Sequence, residues 1–184
     1  MTDESVTKTT KTLLAAASLG AALGGGAVAA PAPPVTFVSV DGGTLSLADW
    51  AGRPVLVVNT ASLCGFTPQY DAMQALYERY ESRGLVVLAV PSDDFRQELD
   101  SAAEVKEFCD LNFNLTFPMT DITKVKGAQA HPFYAWVKAE TGFVPKWNFN
   151  KVLIGADGAI LGNWGSSTQP TAPEITAAIE AALR

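Results

Sequence analysis

Histidine and cysteine are nearly absent from this chain: one His and two Cys stand among its 184 residues. The two cysteines lie far apart, with no Cys-x-x-Cys pair and no Cys/His cluster, so the ligand spacing of a structural zinc site is missing and no metal or cofactor is expected. A basic excess is missing too, since 13 Lys and Arg face 19 Asp and Glu for a net charge of -6. That excludes nucleic acid and anionic membrane surfaces as electrostatic partners. Internal repeats and blocks of like charge are absent.

Long apolar runs are scarce as well, and the one exception is N-terminal. Lys8 and Lys11 precede an Ala/Gly-rich stretch from Leu13 to Ala30, Ala27 and Ala29 frame an A-x-A site, and Pro31 and Pro33 follow. This layout predicts a secretory signal peptide over residues 1–29, cleaved after Ala29, and hence an exported, periplasmic protein. The alternative is a membrane anchor through residues 13–30, a length near that needed to cross a bilayer, weakened by the scarcity of large apolar side chains. No cysteine near the cleavage site marks a lipoprotein.

What remains, residues 30–184, reads as one domain, and 48% hydrophobic residues suffice for a sizeable core. Val35–Val40 and Thr44–Leu47 flank Asp41-Gly42-Gly43, a hairpin signal. Val55–Asn59 reads as a buried strand and Leu85–Val90 as a second, fully apolar one, on either side of a helix from Tyr70 to Arg83 that Gly84 ends. That is a parallel βαβ unit. Helices are predicted over Ala102–Asp110 and over His131–Glu140, the latter with Pro132 in its first turn and Gly142 as its stop. A hairpin of Lys151–Gly155 and Ala159–Trp164 turns at Asp157-Gly158, and Pro173–Arg184 closes the chain as a helix. The order βαβ then ββα predicts an α/β class chain with the thioredoxin fold and an N-terminal β-hairpin extension.

Cys64 stands where the first buried strand turns into a helix. Free backbone N–H groups and the helix dipole at such a place stabilise an anion, and thiolate is the nucleophilic form of cysteine. Cys64 therefore reads as reactive rather than as an inert buried thiol.

The segment around it, NTASLCGFTPQY (Asn59 to Tyr70), resembles the active-site segment of glutathione peroxidases in their cysteine form. PSDDFRQE (Pro91 to Glu98), KGAQAHPFYAW (Lys126 to Trp136) and WNFNKVLIGADG (Trp147 to Gly158) agree with that family in order and rough spacing. The resemblance implies a thiol peroxidase acting on hydrogen peroxide and organic hydroperoxides, an oxidoreductase of the response to oxidative stress. It implies that Cys64 works with Gln97, Trp147 and Asn148, neutral donors that can point hydrogen bonds at sulfur or oxygen without adding a base. The second block departs from the family pattern, with Ser92-Asp93-Asp94 before Phe95 and one residue fewer before the Gln. Gly162–Gln169 contains no Arg or Lys, and only Gly142–Lys146 precedes Trp147, so neither glutathione-holding arginines nor a tetramer-building insertion has a counterpart. The resemblance then points to the monomeric branch whose reductant is a thioredoxin-like or other thiol donor.

Cys109 has two readings. With Val105 and Phe108 it lies at i, i+3, i+4 on an apolar helix face, which suits a structural thiol. In the thioredoxin-using relatives the resolving cysteine lies in this same stretch, and pairing with Cys64 would require the helix to open. Its end, polar Asp110, Asn112 and Asn114 without a glycine, is expected to fray. His131, at a helix start, reads as structural rather than as a general base. Two other classes compete with a peroxidase. A thiol–disulfide oxidoreductase would need a second Cys where Thr67 stands, and a redox-inactive binding module would not need Cys64 with three donor side chains.

Overall fold

Val55–Thr60 (β3) and Val86–Pro91 (β4) are buried along their whole length and pair in parallel, in register from Val55 opposite Val86 to Thr60 opposite Pro91. A parallel pair requires a crossover, and α1 (Gln69–Tyr80) supplies it. A short 3₁₀ turn, Glu81–Arg83, extends α1, and Gly84 ends it at φ 109°, a left-handed backbone that glycine adopts without steric cost. On the other edge of β3, β5 (Lys151–Ile154) runs antiparallel and is followed by β6 (Ile160–Trp164), giving the sheet order β4-β3-β5-β6. The computed structural model describes Met1 and residues 31–184. The expected signal segment beyond Met1, its cleavage point and the alternative anchor through residues 13–30 lie outside the described residues. No helix among the described residues is long and apolar enough to cross a membrane.

The two-residue period of a strand sends alternate side chains to opposite faces. Leu56, Val58, Val87, Ala89 and Leu153 join one core with Tyr70, Met73 and Leu76 of α1, Val105 and Cys109 of α2 (Ala102–Phe113), and Ile175 and Ile179 of α4 (Pro173–Ala182). Val55, Val57, Val86, Leu88, Val90, Val152 and Ile154 join a second core with Phe133, Tyr134 and Val137 of α3 (Pro132–Thr141). The small hairpin of β1 (Thr36–Val38) and β2 (Thr44–Ser46) packs Phe37 into that second core. This is the thioredoxin fold with an N-terminal hairpin, as the order of elements predicts.

Several element ends differ from expectation by one to three residues, those of α2 and the last helix among them. α2 does not fray at Asp110 but continues to Phe113, where Asn114 takes the left-handed conformation (φ 48°) usually given to glycine. Asn tolerates that conformation, so the polar end is a stop signal of its own. The start is a capping box: the Ser101 hydroxyl accepts the Glu104 N–H and donates to the Glu104 carboxylate. The last helix ends at Ala182 rather than Arg184.

Candidate active site

The turn after β3 is organised by one hydroxyl. Thr67 Oγ1 accepts the Cys64 backbone N–H at 3.1 Å and donates to the Ala61 carbonyl at 2.8 Å. Thr67 N–H in turn donates to the Cys64 carbonyl at 3.0 Å. The residue at the place of a second cysteine is thus committed to shaping the turn, and the interchange chemistry of a Cys-x-x-Cys pair has no second thiol here. The regular helix begins at Gln69, beyond this turn. Cys64 is therefore served by the turn itself: Phe66 N–H points at Cys64 Sγ at 3.4 Å. Cys64 is 7% exposed, while Leu63, Gly65 and Pro68 around it are exposed, so the sulfur lies just under the surface.

Gln97 is strapped to that turn. Arg96 adopts a left-handed backbone (φ 57°), and the next carbonyl, that of Gln97, accepts the Leu63 N–H at 2.9 Å. One residue on, Glu98 Oε1 accepts the N–H groups of Ser62 at 3.0 Å and Leu99 at 2.9 Å. The residues flanking Cys64 on its N-terminal side are therefore held by the Gln97–Glu98 pair. Burial pushes the Glu98 carboxyl above the usual carboxylate range, against the pull of its bonds to Ser62 and Leu99.

Asn148 arrives from the opposite side and is completely buried. Its amide Nδ2 donates to Gln97 Oε1 at 3.2 Å, which leaves the Gln97 amide protons available, and its own Oδ1 has no hydrogen-bond partner. Hydrogen bonds to Asn59, next to last in β3, fix the loop. Asn59 Nδ2 donates to the Trp147 carbonyl at 3.0 Å, Phe149 N–H to the Asn59 carbonyl, and Asn150 N–H to Asn59 Oδ1 at 3.0 Å. Phe149 holds φ 59°, a conformation costly for an aromatic residue and retained here by that bonding. Trp147 itself is 40% exposed and tilts against Phe95 with ring centroids 5.5 Å apart. The structure thus brings Cys64, Gln97 and Asn148 onto neighbouring, mutually bonded loops, with the Trp147 ring beside Phe95 at their rim.

A second belt lies behind this one. Ser166 Oγ donates to the Asn148 carbonyl at 2.6 Å and accepts from Asn150 Nδ2 at 3.1 Å. Gln69 Nε2 donates to the Ser166 carbonyl, and the buried Lys151 Nζ donates to Gln69 Oε1 and to the Thr168 carbonyl. Among the described residues Lys151 has no carboxylate partner, and burial lowers its ammonium to about 7. Asn59, Glu98, Asn150 and Lys151 were not among the site residues expected from sequence. For Asn59, Asn150 and Lys151 the signal was present as polar residues within or beside apolar runs, whereas Glu98 stands in a charged stretch with no such mark.

Cys109 stands apart on α2, 1% exposed, with burial pushing its thiol to about 11. Both cysteines are free. His131 is structural: Nδ1 accepts the Phe133 N–H at the start of α3, Nε2 faces the Thr36 carbonyl at 3.0 Å, and the ring stacks on Phe37. It belongs to the sheet face opposite Cys64. Among the described residues no group of acidic, His and Cys side chains could hold a metal.

Comparison with known proteins points to one family and one fold. The sequence profile of the family described as "Glutathione peroxidase" matches residues 34–138. A glutathione peroxidase of Lactococcus lactis is 42% identical over 139 residues, covering 72% of this chain and 88% of the relative. The hydroperoxy fatty acid reductase gpx1 of Synechocystis is 39% identical over 156 residues, covering 79% and 91%. The crystal structure of Trgpx in apo form superposes with a TM-score of 0.67 at 32% identity, covering 84% of this chain and 97% of that one.

Proposed function

The chain belongs to the glutathione peroxidase family, a thiol peroxidase reducing hydroperoxides, and we propose that Cys64 is its peroxidatic nucleophile. The observation that carries this reading is the Phe66 N–H aimed at Cys64 Sγ beside the bonded Gln97–Asn148 pair. A thiolate held there attacks one oxygen of the peroxide bond. Sulfur becomes a sulfenic acid, the O–O bond breaks, and the departing alkoxide or hydroxide takes up the proton that the thiol released. With Gln97 Oε1 engaged by Asn148, the Gln97 amide N–H groups are the donors available to the departing oxygen, and the unpartnered Asn148 Oδ1 is an acceptor for the O–H of the incoming hydroperoxide. Trp147, Phe66 and Leu63 give the rim an apolar face suited to organic as well as inorganic peroxides. Cys64→Ser should abolish hydrogen peroxide consumption, and substantial remaining turnover would overturn the assignment.

The sulfenic acid is returned to thiol by a thioredoxin-like donor. The lack of Lys or Arg in Gly162–Gln169 supports this over glutathione, and Cys109 is the candidate resolving thiol. Export is proposed on the N-terminal pattern alone, with cleavage after Ala29. Mass spectrometry of protein recovered from the native host should find a mature N-terminus at Ala30, and one at Met1 or Thr2 would refute cleavage.

A further inference from the structure

Three successive backbone N–H groups lead into the Cys64 turn, and each has a different acceptor. Ser62 N–H donates to Glu98 Oε1 at 3.0 Å, Leu63 N–H to the Gln97 carbonyl at 2.9 Å, and Cys64 N–H to Thr67 Oγ1 at 3.1 Å. Only the last acceptor belongs to the turn itself. The other two are neighbours on the strap that carries Gln97. That strap bends sharply just before them, where Arg96 N–H donates to the Asp93 carbonyl at 3.0 Å and Arg96 takes its left-handed backbone. Just after Gln97, Glu98 Oε1 bonds Ser62 and Leu99 together, and Glu98 N–H reaches Asp93 Oδ1 at 3.4 Å. The Gln97 backbone is thus held on both sides, while its side-chain oxygen accepts the Asn148 amide. A glutamate is a costly anchor in such a place. Glu98 is 6% exposed, and among the described residues no Lys or Arg forms a salt bridge with it. Its second oxygen, Oε2, is buried without a hydrogen-bond partner. A buried carboxylate without a cation costs more than a buried neutral acceptor, so its retention beside Gln97 requires an explanation.

We propose that Glu98 is a positioning residue of the peroxidatic step, fixing the Gln97 amide relative to the Cys64 turn so that it meets the oxygen departing from the peroxide. Glu98 acts through Ser62 on one side and Gln97 on the other rather than on the reacting atoms. The proposal deepens the reading of Cys64 and Gln97 given above and rests on it. In that step the thiolate sulfur bonds to one peroxide oxygen and the O–O bond breaks, its electron pair going to the other oxygen. Sulfur is oxidised to the sulfenic acid, and the departing oxygen takes up the proton that the thiol released. A Gln97 N–H aimed at the departing oxygen stabilises the negative charge that develops there. Its benefit depends on the basicity of the leaving group. Hydrogen peroxide releases hydroxide, a strong base that needs the donor. Peracetic acid releases acetate, a weak base that carries its charge unaided. A misplaced Gln97 must therefore slow the reaction with hydrogen peroxide far more than that with peracetic acid, whereas general damage to the Cys64 turn slows both alike.

The test follows loss of the Cys64 thiol in the full-length reduced protein by rapid quench and mass spectrometry, with hydrogen peroxide and with catalase-treated peracetic acid. Glu98→Ala should slow the hydrogen peroxide reaction on the order of a hundredfold and the peracetic acid reaction far less. Glu98→Gln keeps an oxygen to accept the Ser62 and Leu99 N–H groups and should restore the parental rate with both oxidants. If Glu98→Ala does not fold, Glu98→Asp carries the test, since its shorter side chain cannot bridge Ser62 and Leu99 and should show the same selective loss. Gln97→Ala should be selective in the same sense, and adding Glu98→Ala to it should cost little more, because the two residues act as a unit. An equal loss with both oxidants, no loss at all, or a Glu98→Gln protein as slow as Glu98→Ala would overturn the proposal. If Gln97→Ala shows no selectivity, the Gln97 reading fails and this proposal with it. If Gln97→Ala is selective and Glu98→Ala is not, only the role of Glu98 fails.

Discussion

Lys151 opens a strand whose every residue is buried, yet its ammonium meets only two neutral oxygens, Gln69 Oε1 and the Thr168 carbonyl. Those bonds tie the first turn of α1 to the 165–168 turn, which in turn holds the Asn148 carbonyl through Ser166. A lysine retained at such a cost is a structural clamp behind the site. The consequence is measurable. Its folded value, about 7, lies below the ordinary 10.5, so between those values the unfolded chain binds more protons than the folded one. Stability contributed by this group must then rise with pH, by up to about 1.4 kcal/mol per pH unit, and level off above the unfolded value. Denaturant melts between pH 7 and 10 should show that rise in the parent, relative to Lys151→Met. Parallel pH profiles for the two proteins would show that the ammonium is not desolvated.

Among the elements, α2 is the one that must yield if Cys109 is to reach Cys64, because Cys109 is buried in the core in mid-helix. Its ends are better secured than the lack of glycine suggested: the Ser101–Glu104 box at one, the left-handed Asn114 at the other, and Asn112 Nδ2 donating to the Phe108 carbonyl between. Removing the cap with Ser101→Ala should cost about 1 kcal/mol of stability. If opening of α2 limits resolution, that variant should form the Cys64–Cys109 disulfide several-fold faster after peroxide; an unchanged or slower rate would mean that opening is not limiting. The same helix marks how far sequence reading reached. Its apolar face, the βαβ order and the turn at Cys64 were legible, because burial periodicity and turn residues act locally. The family blocks placed Gln97 and Asn148 in one site. What joins them was not legible: Asn59 pinning the Trp147–Asn150 loop, Glu98 reaching Ser62, and the left-handed Arg96 and Phe149 all depend on partners distant in the chain.

For the whole molecule, the question is what meets the rim around Cys64. Apart from Met1, the exposed large apolar side chains among the described residues are Val38, Leu63, Leu111, Trp147 and Leu161. Leu63 flanks Cys64 and Trp147 precedes Asn148, while the others stand on separate elements: β1, α2 and β6. Among the described residues these last three share no element, and we propose a monomer. Of the neighbouring cations, Lys124 pairs with Asp94 at 3.2 Å and Lys126 lies over the Phe95 ring at 4.0 Å, Gly162–Gln169 holds none, and Arg96 and Lys146 stand exposed. A tripeptide with two carboxylates needs free, well-placed cations for tight binding, whereas a protein dithiol donor can use the apolar rim. Steady-state assays should therefore show peroxide turnover that saturates with thioredoxin at micromolar levels and rises linearly, without saturation, with glutathione. Light scattering of the same preparation should give the mass of one chain. Saturation by micromolar glutathione, or a tetrameric mass, would refute this account of the surface.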